Sequence, residues 1–175
     1  MLKQCMVTGL KQSSSVVSIG FEALETAPNT FVQTSVDLNL SPLDREVFVV
    51  LSVNLDPRSP DGIAATDTLV SASLTTTSQT AVQSLSNSNC LAVGASAIKA
   101  AGFVDGGVGF QTIAGETPPA TLDYIGIVAT NDFFVQCIGT GNLTPKGVSG
   151  KLYGFRASAN ADIFAALVQS EVLSA

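Results

Sequence analysis

Residues 121–157, TLDYIGIVATNDFFVQCIGTGNLTPKGVSGKLYGFRA, constrain the fold of this chain more than any other stretch. Three runs of strand-forming residues, 121–129, 133–139 and 148–157, are separated by two breaks. One break is Thr130-Asn131-Asp132; the other runs from Thr140-Gly141-Asn142 to Pro145-Lys146-Gly147. Asn, Asp and Gly tolerate the positive φ of turns, and Pro fixes φ while removing a donor. Strand formers bounded in this way predict successive β-strands joined as hairpins.

The rest of the chain reads in the same terms. Residues 2–8 suit a short strand or an ordered arm, and residues 14–21 a strand, followed by a loop over 22–29 closed by Pro28-Asn29. Residues 31–40 alternate cleanly: Val32, Thr34, Val36, Leu38 and Leu40 share one face, and Gln33, Ser35, Asp37 and Asn39 the other. A strand turns successive side chains to opposite sides, so one face of that sheet is buried and one is wet. After a turn over 40–45, residues 46–55 place Val47, Val49, Leu51, Val53 and Leu55 on one face. The other face begins apolar (Phe48, Val50) and ends polar (Ser52, Asn54), which predicts a central strand covered on both sides at one end.

Two prolines and a glycine exclude regular structure over 56–62. The Thr-rich run 66–78, with Thr68, Val70, Ala72 and Leu74 on one side, predicts a strand near the surface or a subunit contact. Residues 79–102 are ambiguous between strand and a short alanine-rich helix; the alternation of Leu91, Val93, Ala95 and Ala97 favours strand. Asp105-Gly106-Gly107 predicts a turn, 108–114 a strand, and 115–120 a loop. From Asn160 onward, Ile163, Phe164, Leu167, Val168 and Val172 recur at helical spacing behind an Asn cap and an early Asp, predicting a C-terminal helix. A final strand is the alternative there.

About eight or nine short strands with turn signals every 8–12 residues predict an all-β sandwich or barrel. At 175 residues the chain has the size of one domain able to bury a real core. No internal repeat marks a propeller or solenoid. The surface such a sandwich presents is unusually neutral. Charged residues are 13% of the chain, against about 25% in a typical soluble domain. Ser, Thr, Asn, Gln and Gly replace them, which suits a surface largely covered by neighbours.

Catalytic chemistry finds little to work with. The chain has no histidine, and so lacks the commonest general base and metal ligand. It has neither a G-x-S-x-G elbow nor a phosphate-binding glycine loop, and Gly106-Gly107-Val108-Gly109 reads as a turn between strands. Cys5, Cys90 and Cys137 have no metal or redox spacing and read as buried free thiols. Asp56, Asp61 and Asp67 lie on or near one loop and could bind Ca²⁺ with backbone carbonyls, but their spacing matches no EF-hand and they read as solvated loop carboxylates. Asp44, Asp123 and Asp132 are scattered, and Asn142-Leu143-Thr144, a sequon followed by Pro145, reads as a turn.

We expect no catalytic, cofactor or metal residues and no enzyme. Net charge is −6, with basic residues placed singly, so a phosphate-binding basic arm is not expected. The opening residues carry no secretory pattern and no run reaches membrane-span length, so synthesis in a cytoplasm is expected.

Phe133-Phe134-Val135-Gln136 and Lys151-Leu152-Tyr153-Gly154-Phe155-Arg156-Ala157 carry a resemblance. A Gly/Asn-rich loop over 139–150 leads into a strand of the form x-L-Y-G-x-R, followed by a short terminal segment, 159–175. In this the chain resembles single jelly-roll capsid proteins of tailless icosahedral viruses, mainly over its C-terminal third. The resemblance implies a single jelly-roll β-sandwich over 14–158, an N-terminal arm or short strand over 1–13, and a C-terminal helical segment over 159–175. It implies a virion protein, made in the host cytoplasm, that self-assembles into an icosahedral shell with other copies and other virion proteins.

Coat proteins of this type that package single-stranded genomes usually carry a basic N-terminal arm, and here only Lys3 and Lys11 are present. The resemblance therefore implies little genome contact: a shell over an inner membrane, one whose partner protein handles the nucleic acid, or one filled by a motor. On that reading the 66–78 strand and the loops 56–62 and 139–147 lie at contacts or the outer surface, and the arm and helix reach neighbours. Two other readings fit a β-sandwich: a trimeric decoration or fibre protein on a viral head, and a carbohydrate-binding module. The second needs aromatic platforms, and the chain has no Trp and two Tyr, Tyr124 and Tyr153.

Overall fold

The structure, a computed structural model, describes residues 9–102, 104, 106–114 and 123–174. In chain order its elements are β1 (Leu10–Gln12), β2 (Val17–Leu24), β3 (Val32–Asp37), β4 (Glu46–Pro57) and β5 (Thr68–Thr75). There follow β6 (Cys90–Lys99), β7 (Val108–Ala114), β8 (Gly126–Val128), β9 (Asp132–Thr140), β10 (Gly147–Ala159) and α1 (Ala161–Leu173). The expected segments 2–8 and 115–120 lie outside the described residues.

Eight of these strands pair in a nested order, all antiparallel: β2 with β10, β3 with β9, β4 with β8, and β5 with β6. That is one long ribbon, closed at its β5–β6 end and rolled so that successive pairs fall in alternate sheets. Contacts of β4 with β10 and of β5 with β9 seal the roll. The result is a jelly-roll sandwich of two five-stranded sheets, β2-β10-β4-β8 and β3-β9-β5-β6-β7, with β1 beside β2 along β10. Consecutive strands of the roll mostly change sheets, so β8, β9 and β10 do not pair with one another. The hairpins expected over 121–157 are replaced by crossings between sheets, and of the expected 121–129 strand the described residues, 123–129, hold the three of β8.

Side chains of the two inner faces fill the sandwich, among them Phe21, Phe48, Val53, Leu74, Phe133 and Leu152. Phe21 and Phe133 meet edge to face at 5.7 Å between ring centroids and join the sheets. A second cluster lies outside the β4–β10 sheet. There Leu10, Val47, Val49, Ala157 and Ala159 are covered by Ile163, Phe164, Leu167 and Val168 of α1. Asn160 caps this helix by accepting from the Ile163 N–H at 2.8 Å, as the sequence predicts. Its stripe differs at one end: Val172 is 62% exposed and Glu171 is buried in its place.

Strand β4 is central and covered on both sides at its start, as expected, but its faces are not continuous. Tyr153 pairs with Ser52 and Gly154 with Val50, leaving Leu51 as the extra residue of a bulge. An extra residue reverses the side-chain parity beyond it. Phe48 and Val50 therefore point into the sandwich before the bulge and Val53 and Leu55 after it, while Val47 and Val49 lie under α1. The single face expected from Val47 to Leu55 is thus two half-faces. The strand also runs on through Asp56 and Pro57, where a break was expected.

Strand β5 corrects another expectation. It is interior to its sheet, between β9 and β6, and Thr68, Ser73 and Thr75 are at most 1% exposed. Its hydroxyls are buried because they have partners, described below.

Candidate functional site

Residues 25–31, 58–67, 100–102 and 141–146, at one end of the sandwich, are joined through carboxylates and amides. Glu25, buried, accepts from the Gly139 N–H and the Lys146 N–H at 2.7 Å each. Asn29 and Asn142 exchange two hydrogen bonds: the Asn142 N–H donates to Asn29 Oδ1 at 2.9 Å, and Asn29 Nδ2 donates to the Asn142 carbonyl at 2.8 Å. Asn142 Oδ1 accepts from the Asp61 N–H, and its Nδ2 donates to the Leu69 carbonyl, each at 2.9 Å. Gly141, at φ +72°, makes the turn possible, since a Cβ there would stand 2.6 Å from the Asp67 carbonyl.

Asp61 sits at the centre of this end. The Leu143 and Thr144 N–H groups donate to its Oδ2 at 2.9 Å each, and Lys146 Nζ lies 2.5 Å from its Oδ1. The Lys146 ammonium, followed by the Thr144 and Leu143 donors, holds the Asp61 carboxyl far below the usual carboxylate range, against the opposing pull of burial. Asp67 is used similarly. It accepts from the Ala100 and Ala101 N–H groups at 2.9 Å each and pairs with Lys99 at 3.2 Å, and those donors lower its pKa. Asp56 is an exposed residue on β4, opposite Ser149. Of the three carboxylates grouped as candidate ligands, Asp61 and Asp67 are thus engaged separately, each by its own backbone N–H donors and lysine. Among the described residues, no three His, Cys, Asp or Glu side chains gather as a metal site would need.

The other expected positions are equally structural. Asn142 of the sequon is 4% exposed and forms the turn just described. Gly107 approaches β6 so closely that a Cβ would stand 2.9 Å from the Lys99 carbonyl, as a turn glycine does. Cys90 and Cys137 are buried free thiols, and burial pushes Cys137 up to about 12; Cys5 lies outside the described residues. Asp132 opens β9 opposite Asp37, while Asp44 accepts from the Ser41 hydroxyl at 2.7 Å.

Sequence reading missed a polar network on the outer face of the β3-β9-β5-β6-β7 sheet. Ser73 donates to Gln136 Oε1 at 2.8 Å, and Gln136 Nε2 donates to Thr75 Oγ1 at 2.7 Å and Gln33 Oε1 at 3.0 Å. The loop 76–89 lies over it: the Gln83 N–H donates to Ser73 Oγ at 3.0 Å and the Gln79 N–H to Gln33 Oε1 at 2.8 Å. Gln136 within the apolar run FFVQC was the available signal. Beside the network is a shallow, mainly apolar hollow of about 350 Å³, bounded by Ser71, Val93 and Ala95 below and Val82, Gln83 and Leu85 above. Further along the same face Phe110, opposite Ala97, is 57% exposed, and Val108, opposite Lys99, is 48% exposed.

No protein-family model matches this chain, and no curated protein matches it. Among solved structures, a chain described as Desmodium yellow mottle tymovirus is similar at 14% identity over 83% of this chain and 89% of that one. Its TM-score is 0.28, too low to carry an argument about fold or role. The class of the protein therefore rests on its own strand pairing: a jelly-roll β-sandwich with a helix docked on one sheet.

Proposed function

We propose that this chain is a structural subunit that self-assembles into an icosahedral viral shell, with other copies of itself and other virion proteins as partners. The observation that carries the reading is the nested jelly-roll pairing in a sandwich packed solid with side chains. Jelly rolls serve as capsid domains, lectins and cupins. A cupin-type site needs ligands projecting into the roll, and here Phe21, Phe48 and Phe133 fill that space in a chain without histidine. Buried Glu25 and Asn142 hold loops together, and buried Ser73, Thr75 and Gln136 bond across one sheet, rather than converging on an open pocket. A neutral surface with exposed Phe110, Val108, Leu143 and Leu43 favours contact with other protein over free solvation.

The arrangement supports little direct contact with nucleic acid. Arg58 pairs with Glu22, Lys99 with Asp67 and Lys146 with Asp61, so three of the eight basic residues are neutralised within the chain. On this reading the genome is handled by another component, or lies behind an inner membrane.

Exposed Phe110 sustains one further reading, a carbohydrate-binding module, because sugars stack on open aromatic rings. Light scattering with negative-stain imaging of the purified chain separates the readings. Closed particles or capsomer-sized rings are expected. A discrete soluble trimer would indicate a decoration or fibre protein. A strict monomer that binds a glycan array would overturn the shell.

A further inference from the structure

We infer that β7 is an association edge: a second copy of this chain pairs with it antiparallel about a two-fold axis, continuing the β3-β9-β5-β6-β7 sheet across both copies. The inference rests on the self-association proposed above and names the surface.

Edge strands expose unpaired N–H and C=O groups, and chains that stay single blunt them with shortness, charge, proline or a cover. The edge strands differ in this respect. β1 and β8 have three residues each. β3 ends in Asp37, and its Gln33 is tied to Ser78 and the Gln79 N–H of the loop above it. β2 carries Glu22, paired with Arg58 at 2.9 Å. β7, VGFQTIA, has seven residues with no charge and no proline. Among the described residues it pairs with β6 alone.

The side chains agree with the backbone. Phe110 and Val108 stand on one face of the edge and leave 57% and 48% of their surfaces in solvent. The occupant is a second copy for two reasons. A two-fold axis normal to the sheet plane at its edge pairs a strand with its own copy antiparallel, so one charge-free sequence satisfies both sides. And in a chain of net charge −6, an uncharged edge is where two copies meet with least repulsion.

The test is amide hydrogen exchange of the full-length chain at several concentrations, with light scattering and imaging on the same samples. Expected are slow alternate amides in 108–114 whose protection rises with concentration, and a two-chain species. Phe110→Lys and Val108→Lys weaken that species about tenfold or more, the effect of losing one interface anchor, while Phe110→Leu keeps it. Unchanged circular dichroism and melting temperature confirm that the lysine variants fold; if one does not, the other carries the comparison.

Protection independent of concentration in a monomer means that the edge is covered by its own chain and overturns the inference. Freely exchanging β7 amides within assembled particles overturn it too, while the shell reading stands. A protected two-chain species that never forms particles leaves this inference standing and removes the shell.

Discussion

Lys146 places its ammonium 2.5 Å from Asp61, tying the loop before β10 to the loop after β4. The pair is the charged centre of a larger arrangement in which Glu25, Asn29, Asp67 and Asn142 accept from backbone N–H groups of neighbouring loops. Loops that would otherwise vary in position are fixed to one another, so this end of the sandwich has a defined shape. For a subunit that must meet identical neighbours, a fixed end is worth more than a mobile one.

Acid is expected to loosen that end. The folded pKa of Asp61 lies well below its ordinary value of 3.8. Its contribution is therefore fully present above that value and disappears as pH falls through the depressed folded one. In thermal melts the wild type should exceed Asp61→Asn by a constant margin at about pH 5–7, and the margin should shrink below about pH 4. A margin unchanged down to about pH 2 would mean that ionised Asp61 is not the tie.

The buried network around Gln136 makes a second prediction. Gln136→Ala removes one partner each from Ser73, Thr75 and Gln33 at a fully buried site. The expected loss is about 1–3 kcal/mol in urea unfolding. Gln33→Ala should cost clearly less, because Gln33 is only half-buried and water can take its place. Equal losses would place the energy in the loop 76–89 rather than in Gln136.

These two sites show where sequence reading works and where it stops. Strands β7 and β9 and the helix emerge from local pattern because strand formers, turn residues and the Asn160 cap act over a few neighbours. Leu51 is illegible in the same terms. Nothing in EVFVVLSVNL distinguishes a bulged residue from a paired one, since the bulge is created by the register against Tyr153 and Gly154, a hundred positions away. β5 misleads for a related reason. Ser and Thr suggest a surface until Gln136 and Asp61 are brought beside them, Thr68 donating to the Asp61 carbonyl at 2.7 Å. Asp61 reads as a solvated loop carboxylate in the sequence because its partners at 143–146 are invisible from its own loop.

Glu171 gives a prediction of opposite sign to Asp61. Its carboxylate accepts from the Ala129 N–H at 2.9 Å and the Thr130 N–H at 3.0 Å, pinning the end of α1 to the turn before β9. Burial nevertheless raises its pKa above the ordinary 4.5, outweighing those donors. A raised folded pKa stabilises fully below the ordinary value, and that contribution is lost as pH rises through the folded one. Exchange protection of the α1 amides, corrected for intrinsic rates, should therefore fall as pH climbs from about 4. Glu171→Ala should remove this pH dependence and, by orphaning two N–H groups, cost about 2–3 kcal/mol. A dependence that survives in Glu171→Ala would belong to another group.

The roll itself is tested by two glycines of one sheet. Gly154 lies at the bulge, where an added Cβ would collide with the Val49 carbonyl and the Phe48 ring. The obstacle is backbone on one side and a buried ring on the other, so neither can move cheaply. Gly154→Ala is expected to cost about 3 kcal/mol, the upper range for overpacking. Gly20, on the paired strand β2, has nothing within 4 Å of its would-be Cβ. Gly20→Ala should be neutral or stabilising by up to about 1 kcal/mol, since glycine inside a strand carries an entropic cost that alanine lowers. Urea unfolding of both variants decides the matter. If Gly154→Ala is as harmless as Gly20→Ala, β4 and β10 do not approach at the register that places Leu51 in the bulge. The two half-faces of β4 would then have to be reassigned.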